Sequence, residues 1–549
     1  MVVPDEHAAT SADAAAGRTE AFRGRRVAFN SMTLIGGQVL FTAIGLVTTP
    51  VALSHIGLLE FGLWTFIIST VGYITVVDPG FGDMITRYGA RAHIEGDRAL
   101  GARLCSLATL AWLGVGLAGL PLVLWLVPVL TSHFRPHLNP GLALIATHFF
   151  YWGYAITIAG CVSAILSARL TAIGDQWLVT ILDVVTRVIY GGILIGMLVG
   201  GYKLTAIVVA TSVQLVLTFL VTLVLVVRRT GAPYGNPMRL HGSFVREVIR
   251  FGGWLQLGGV LELLTYDTDP FVIGTFVGLR KVGVYGLSQR AARQTTYFAF
   301  IAQASILSAV SAAYAAKEGL AAMRRMYARA NRLVVLSGCL IGGGLIGLAP
   351  VFLAAWLGSY YPYADIATCL AAVALLLGLP RPAAAAVIMA MGRVGLGVRA
   401  QAAAFAINLV LTLALVEPMG MYGVMLATVI AKLAATSYLL VRFHRLIEGS
   451  ARELLFPWLV KLLAAIGAGV AVTRLLLIFV PISATHQRGP AIVALLALGT
   501  VYVLVTALVL RATSYFSNDD LSWFQEILPG RLARLFAHPA TRWVLGVSA

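Results

Sequence analysis

The chain has 549 residues, of which 59% are hydrophobic and 11% are charged, and its mean hydropathy is +0.87. This composition is typical of a multi-pass membrane protein and excludes an ordinary soluble domain. A net charge of +17 would suggest nucleic acid as the partner of a soluble protein, but basic residues of a membrane protein set its orientation, so we expect no nucleic-acid partner. The four cysteines lack metal-ligand spacing and nucleotide-binding loops are absent, so neither a metal nor another cofactor is predicted.

The chain begins with a polar, alanine-rich stretch, residues 1–26, which predicts a disordered cytoplasmic tail and not a cleaved signal peptide. Fourteen apolar runs follow, each close to the roughly 20 residues that a membrane-crossing helix needs. They lie near 30–53, 60–86, 104–130, 141–168, 176–199, 204–227, 247–278, 283–313, 331–356, 363–391, 394–416, 420–441, 455–480 and 490–510. Residues 512–549 predict a cytoplasmic amphipathic tail. The predicted fold class is an all-α polytopic membrane protein of about fourteen transmembrane helices.

The basic residues alternate from one connection to the next. Of the 40 Lys and Arg residues, 27 lie in the tails and the even-numbered connections, and only five lie in the odd-numbered connections. Because basic connections remain in the cytoplasm, this bias predicts that both termini are cytoplasmic. The remaining eight basic residues, 40 minus 27 minus 5, lie inside the predicted spans, where a charge usually faces the bundle interior or a wet cavity.

Two halves of the chain echo each other. Pro50 and Pro270 are 220 residues apart, and each precedes a similar turn with glycines at Gly57 and Gly278, 221 residues apart. Six such anchors predict two parallel six-helix repeats. They would form lobes at 27–229 and 247–443, joined by a cytoplasmic linker at 230–246 and followed by an extra helical hairpin at 454–511, with the substrate site at the repeat interface.

The seventh predicted span carries the densest group of polar residues. Glu262, Thr265, Tyr266 and Asp269 have the spacing of one helical stripe, while Asp267 points elsewhere. The three carboxylates could take up protons or Na⁺ and so couple transport to an ion gradient. Proline should bend this span at Pro270, as it should bend the first span at Pro50, and we interpret the symmetric bends as gating elements.

The eighth predicted span presents a second stripe, formed by Arg290, Arg293, Gln294 and Tyr297. The two arginines lie at about the depth of Asp269, roughly 15 to 20 Å from the external turn at 1.5 Å per residue. Two interpretations remain open: the arginines form structural ion pairs with the carboxylates, or they bind an anionic group such as a phosphate. We place the cations of spans 11 and 12 in the second half of the same cavity, namely Arg399 and Lys432.

Short glycine motifs near the start of the chain carry a family resemblance. The turn containing Gly57, Phe61, Gly62 and Trp64, followed by the sequence DPGFGDMITRYGARA from Asp78, resembles the bacterial polysaccharide flippases of the Wzx type. Their superfamily also contains the MurJ lipid II flippases and the MATE exporters. The resemblance covers residues 27–443, and we expect Asp78 to cap or kink the helix beside it.

This resemblance implies a V-shaped bundle in the cytoplasmic (inner) membrane of a bacterium. It further implies flipping of polyprenyl-diphosphate-linked oligosaccharides for surface polysaccharide synthesis, by alternating access driven by an ion gradient. Partners would be membrane lipids, a polysaccharide polymerase and glycosyltransferases, and the protein would not be an enzyme.

Other classes fit less well. A MATE-type drug exporter takes cationic substrates, which Arg290 and Arg293 oppose, and a lipid II-like flippase remains an alternative. A major-facilitator sugar transporter has parallel repeats but a longer central connection than residues 228–246. A membrane glycosyltransferase or polymer ligase would need long external loops with catalytic acids, and the external connections here are short.

Overall fold

A computed structural model describes residues 6–78, 80–134, 139–240, 242–296, 319–393, 395–481 and 486–516. The described chain consists of helices and connections without strands. Helices dominate because long apolar segments can satisfy their backbone hydrogen bonds internally only in this form. The chain divides into two compact units, formed by Met1–Val51, Asp78–Leu130 and Thr147–Gly253, and by Ala52–Val77, Thr131–Ala146 and Trp254–Ala549.

The first unit contains five whole or nearly whole helices together with the start of the long first helix. The helices are α1 (Glu6–Gly72), α2 (Phe81–Ile94), α3 (Arg98–Phe134), α4 (Pro140–Ala172), α5 (Gln176–Val199) and α6 (Lys203–Thr230). One buried cluster joins α4, α5 and α6 through Leu166, Val179 and Val226. The α4–α5 turn is tied to the end of α6 by an ion pair of 3.4 Å between Arg229 Nε and Asp175 Oδ2.

The second unit contains the end of α1 and most of α7 (Gly242–Phe276), together with α8 (Leu279–Ala292). The later helices are α9 (Gly319–Leu357), α10 (Ala364–Gly378), α11 (Arg381–Ala390), α12 (Gly395–Met419), α13 (Met421–Leu446), α14 (Ala451–Leu454), α15 (Phe456–Leu477) and α16 (Arg488–Ala512). Its main core brings α9, α11, α13, α15 and α16 together. The rings of Tyr327 and Phe443 meet at the centre of this core, 4.7 Å apart.

Eleven helices among the described residues are long and apolar enough to cross a membrane. The predicted runs 30–53 and 60–86 fall on one stretch, Gly36–Val76, which loses helical dihedral angles at Gly57. The runs 247–278 and 283–313 fall on α7, on α8 and on residues outside the described chain, so they are not among the eleven. The all-α membrane fold is confirmed, while the count of fourteen spans stays a prediction.

Two boundaries differ from the predicted ones. Residues 6–26 lie inside α1, where composition predicted a disordered tail, because alanine has the strongest helix propensity. The second predicted span, 60–86, is broken between Gly72 and Phe81 by a 3₁₀ turn and the start of a new helix. Asp78 Oδ1 accepts hydrogen bonds from the backbone N–H groups of Gly80 (3.0 Å) and Phe81 (3.1 Å), which confirms the predicted cap. The predicted amphipathic tail lies outside the described residues from 517 onwards.

The end of α1 packs against α8 through a reciprocal glycine contact. A Cβ atom on Gly62 would lie 1.9 Å from the carbonyl oxygen of Leu279, and one on Gly283 would lie 2.6 Å from the carbonyl oxygen of Leu58. Each leucine stands four residues before the glycine of its own helix, and each pair has the same spacing of 221 residues along the chain. Such reciprocity is what two repeat copies related by a two-fold axis would produce. The repeat itself, the lobes at 27–229 and 247–443 and the other predicted domain bounds stay predictions.

Candidate functional site

The candidate site lies in the second unit, where α7, α8 and α13 carry its charged side chains. Helix α8 ends at Ala292, and the chain continues as a 3₁₀ turn over Arg293–Thr296. The predicted single helical stripe on span 8 is therefore wrong, because the helix changes its winding at Arg293. Gln294 Nε2 donates back to the carbonyl oxygen of Arg290 at 3.1 Å, so this amide serves the turn. Tyr297 lies outside the described residues.

A first cavity, which we call the lysine cavity, has a volume of about 520 Å³. Its polar lining consists of Glu262, Tyr266, Arg293, Thr296, Arg381 and Lys432. Lys432 is only 2% exposed, and its Nζ lies 4.2 Å from the centroid of the Tyr266 ring. A cation over an aromatic face is stabilised by the ring quadrupole. The lysine is thus held against the cavity wall by a ring and not by a carboxylate contact.

Arg381 enters the lysine cavity from the start of α11. Its Nη2 donates to Oε1 of Gln401 at 2.6 Å, and Gln401 is itself buried. The Arg381 Nε atom is buried without a hydrogen-bond partner among the described residues. Such a buried donor costs free energy unless a ligand or water satisfies it. Arg381 therefore has capacity to donate to an acceptor in the cavity.

A second cavity, which we call the aromatic cavity, has a volume of about 320 Å³ and includes Trp64, Asp267, Arg290 and Arg293 in its lining. The guanidinium carbon of Arg290 lies 4.8 Å from the ring centroid of Phe61 and 4.5 Å from that of Trp64. Arginine stacks on aromatic faces readily because its guanidinium is planar and weakly hydrated. The two rings thus fix Arg290 at the wall of this cavity.

The two cavities share Tyr266 and Arg293. Their linings together contain four cations, Arg290, Arg293, Arg381 and Lys432, against two carboxylates, Glu262 and Asp267. Arg293 is exposed and interacts electrostatically with Asp267. The charge excess is 4 minus 2, or +2, so the lining favours an anionic ligand.

Asp269 lies outside both linings, in a buried network of hydroxyl groups. The side chain has no exposed area, and its Oδ2 accepts hydrogen bonds from the hydroxyls of Thr428 (2.6 Å) and Tyr285 (3.2 Å). Asn408 Nδ2 donates to the Thr428 hydroxyl at 2.9 Å, and Lys432 interacts electrostatically with Asp269. Pairing of Asp269 with Arg290 or Arg293 was an open interpretation of the sequence. It is wrong for the described contacts, because these hydroxyls occupy the carboxylate instead.

Several oxygens of this network have unused hydrogen-bonding capacity. Asp269 Oδ1, Asn408 Oδ1 and the Thr412 hydroxyl oxygen are buried and have no hydrogen-bond partner among the described residues. Buried acceptors without partners are costly, and oxygen atoms of this kind suit a proton or a hard cation. The arrangement can therefore accept a positive charge next to a carboxylate.

Arg399 does not join Lys432. It lines a separate cavity near the ends of α12 and α13, so their predicted placement in one cavity is wrong. The reason is helical register: Lys432 and Leu439 share the face of α13 that lines the lysine cavity, while Tyr438 faces the other cavity.

Both proposed gating prolines lie inside helices, Pro50 in α1 and Pro270 in α7. The departure from helical dihedral angles in α1 is at Gly57, with φ 78° and ψ 169°. Gly278, at the equivalent position after Pro270, has φ 114° and ψ 159°. This region of φ and ψ is accessible essentially to glycine only. The prolines' gating role stays a prediction.

Sequence reasoning missed several residues of the site. Phe61 and Trp64 were recognised as motif letters and not as the rings that hold Arg290, and Thr428 was recognised only as a repeat anchor. Thr428 follows Asp269 by 159 residues, and no local pattern connects the two. Arg381 stood between two prolines, which marked it as unusual without showing where it pointed.

The fold defines the class of protein: a helical multi-pass membrane protein with the architecture of flippases and multidrug transporters. The structure is similar to that of the lipid II flippase MurJ in an inward closed conformation, with a TM-score of 0.62 and 14% identity over 87% of this chain and 99% of that chain. It is also similar to a multidrug resistance MATE family transporter of the MOP superfamily. The inward-facing form gives a TM-score of 0.55 and 16% identity over 77% of this chain and 97% of that chain. At such low identities these likenesses establish the fold alone.

The family follows from the sequence. A family model described as polysaccharide biosynthesis protein matches residues 27–314, which is 288 of 549 residues. The chain therefore belongs to this family, and the resemblance inferred from the glycine motifs is confirmed. No curated protein sequence gives a significant match.

Proposed function

We propose that the protein flips polyprenyl-diphosphate-linked oligosaccharide repeat units across the bacterial cytoplasmic membrane for surface polysaccharide synthesis. One observation carries this proposal: four cations against two carboxylates line two adjoining cavities in a member of a polysaccharide biosynthesis family. A diphosphate is the anionic part of such a lipid, and arginine binds phosphate oxygens with two parallel hydrogen bonds.

The distribution of polar groups suits the rest of the cargo. Tyr266 and Trp64 offer aromatic surfaces, and Gln289 adds a polar group to the aromatic cavity. Sugars need such amphipathic walls, since each sugar ring presents both C–H faces and hydroxyl groups. A cation exporter of the MATE type would need a lining of the opposite charge, so it is the alternative that the excess of +2 disfavours.

Coupling to an ion gradient belongs to the same proposal, with Asp269 as its centre. Two hydroxyl groups hold its Oδ2 while Oδ1 is left without a partner among the described residues. Uptake of a proton or a small cation there would neutralise the carboxylate and release its hold on Tyr285 of α8 and Thr428 of α13. Glu262 and Asp267 lie in the cavities, where their charge is better placed to orient the cargo than to store an ion.

The proposal includes a topology and partners. Both termini are cytoplasmic, which the positive-inside bias supports. Glycosyltransferases would supply the lipid-linked oligosaccharide on the cytoplasmic side, and a polymerase would consume it after flipping.

The direct test reconstitutes the protein in proteoliposomes and measures the appearance of a labelled polyprenyl-diphosphate oligosaccharide in the outer leaflet. Arg293→Gln and Lys432→Gln each remove a charged donor, and a charge-assisted hydrogen bond is worth about 1.5 to 3 kcal/mol. We expect the apparent affinity for the lipid to fall roughly 10- to 100-fold in each variant. Lys461→Gln is the matched control, because Lys461 donates to the carbonyl oxygen of Ser514 at 3.1 Å and lines neither cavity. Equal flipping by wild type and the Arg293→Gln/Lys432→Gln double variant would refute the anion site.

A further inference from the structure

A third cavity, which we call the arginine cavity, lies at the end of the hairpin formed by α12 and α13. It has a volume of about 550 Å³, and four arginines line it: Arg393, Arg399, Arg442 and Arg445. No carboxylate is among its lining residues in the part of the chain that the structure describes. It shares no lining residue with the lysine cavity or the aromatic cavity, so it is a separate feature.

Two antiparallel helices bring these arginines together. Arg393 precedes α12 and Arg399 lies in its second turn, while Arg442 and Arg445 lie near the C-terminal end of α13. Only Gly420 separates the two helices, so the start of α12 and the end of α13 lie at the same end of the hairpin. All four side chains are exposed. The cluster is therefore reachable from outside the protein, at helix ends and not at mid-helix.

Four guanidinium groups around one cavity repel each other unless an anion joins them. The contact given for this group beyond the cavity itself is aromatic: the guanidinium carbon of Arg442 lies 5.8 Å from the ring centroid of Tyr438. Guanidinium groups match phosphate oxygens in geometry and stay charged at any physiological pH. Leu396 and Leu446 add an apolar edge to the same cavity. Basic pockets between transmembrane helices with such a mixture suit lipid headgroups.

We propose that the arginine cavity binds the phosphate headgroup of an anionic phospholipid of the surrounding bilayer. Its place at the helix ends matches the depth of headgroups, and its separation from the other two cavities distinguishes it from the proposed cargo site. A resident lipid there would neutralise the arginines and join the start of α12 to the end of α13. This inference goes beyond the proposed function and holds whichever lipid is transported.

The test titrates purified protein in detergent with a fluorescent short-chain phosphatidylglycerol and follows binding by anisotropy. Arg399→Gln/Arg442→Gln removes two of the four charges, at about one charge contact each, so affinity should fall roughly 30-fold. Arg325→Gln/Arg329→Gln is the matched control, because both residues are exposed arginines of α9 that do not line the cavity. We expect this control to bind like wild type. An equal loss in both double variants, or no loss in the first, would overturn the proposal.

Two further arms complete the design. Arg399→Lys/Arg442→Lys keeps the charge and loses the paired hydrogen bonds, so an intermediate affinity with an unchanged gel-filtration profile excludes misfolding as the cause. A parallel titration uses a polyprenyl diphosphate without sugars. If the Gln variant lost this ligand but retained phosphatidylglycerol, the cavity would belong to the cargo path and the phospholipid proposal would fail. Because the readout is phospholipid binding, it is independent of whether the flipping experiment succeeds.

Discussion

Lys432 and Asp269 are two charged residues of opposite sign that are both almost fully buried, at 2% and 0% exposure. They differ in how they are satisfied, because Asp269 accepts two hydrogen bonds while Lys432 rests against the ring of Tyr266. Burying a charge without a close partner is costly, and such cost is usually retained only where function requires it. Asp78, by contrast, has an ordinary structural role, which its position beside a proline and two glycines made predictable.

Replacing Lys432 by methionine separates stability from binding. Methionine keeps the length of the side chain and removes the charge, so the thermal midpoint of unfolding should stay the same or rise. Affinity for the lipid diphosphate should fall roughly tenfold or more, since one charged donor is lost. Differential scanning fluorimetry together with lipid titration measures both. A large drop in the thermal midpoint would show that Lys432 has a structural role instead.

Replacing Asp269 by asparagine tests coupling. The shape of the side chain and most of its hydrogen bonds remain, but the site can no longer change its charge. We expect flipping to become independent of an imposed proton or Na⁺ gradient, whereas Asp267→Asn should keep its response to the gradient. Initial flipping rates with each gradient collapsed separately give the answer, and a retained response in Asp269→Asn would exclude this carboxylate as the coupling site.

At the scale of elements, the packing of α1 on α8 depends on the absence of two side chains. Gly62 and Gly283 each face a backbone carbonyl of the opposite helix, a contact that leaves no room for a methyl group. Sequence patterns gave both glycines as repeat anchors, but their mutual contact could not be inferred from spacing alone. The end of α8 was equally hidden, because nothing in the letters around Arg293 marks the change from α-helix to 3₁₀ turn.

Gly62→Ala should therefore destabilise the protein. Its Cβ would lie 1.9 Å from the Leu279 carbonyl oxygen, and overpacking of this kind costs about 1 to 3 kcal/mol. Gly467→Ala is the control, because nothing lies within 4 Å of its added Cβ in α15, and alanine favours a helix. Thermal unfolding in detergent should show a lower midpoint for the first variant only. A midpoint equal to wild type in Gly62→Ala would contradict the close helix contact.

At the scale of the whole molecule, composition and the family match agree on a multi-pass membrane protein of polysaccharide biosynthesis. Hydropathy and the positive-inside bias predicted the class of fold because lipid imposes helices and basic loops impose orientation. The membership of the site was harder. Arg399 and Lys432 both lie on amphipathic helices of one hairpin, and only the rotation of each helix decides which cavity a residue lines.

The predicted orientation can be tested with single cysteines introduced into a background without the four native ones. Ala232→Cys lies in the connection expected in the cytoplasm, and Ser359→Cys lies in one expected outside. A membrane-impermeant maleimide should label Ser359→Cys in intact spheroplasts and label Ala232→Cys only after permeabilisation. The reverse pattern would invert the topology.

The most direct test of the central claim compares cargo of opposite charge in the same proteoliposomes. One arm measures flipping of a labelled polyprenyl-diphosphate oligosaccharide, and the other measures uptake of a fluorescent cationic drug. With four cations against two carboxylates in the cavity linings, the protein should move the anionic lipid and leave the cation behind. Uptake of the drug without movement of the lipid would contradict the account.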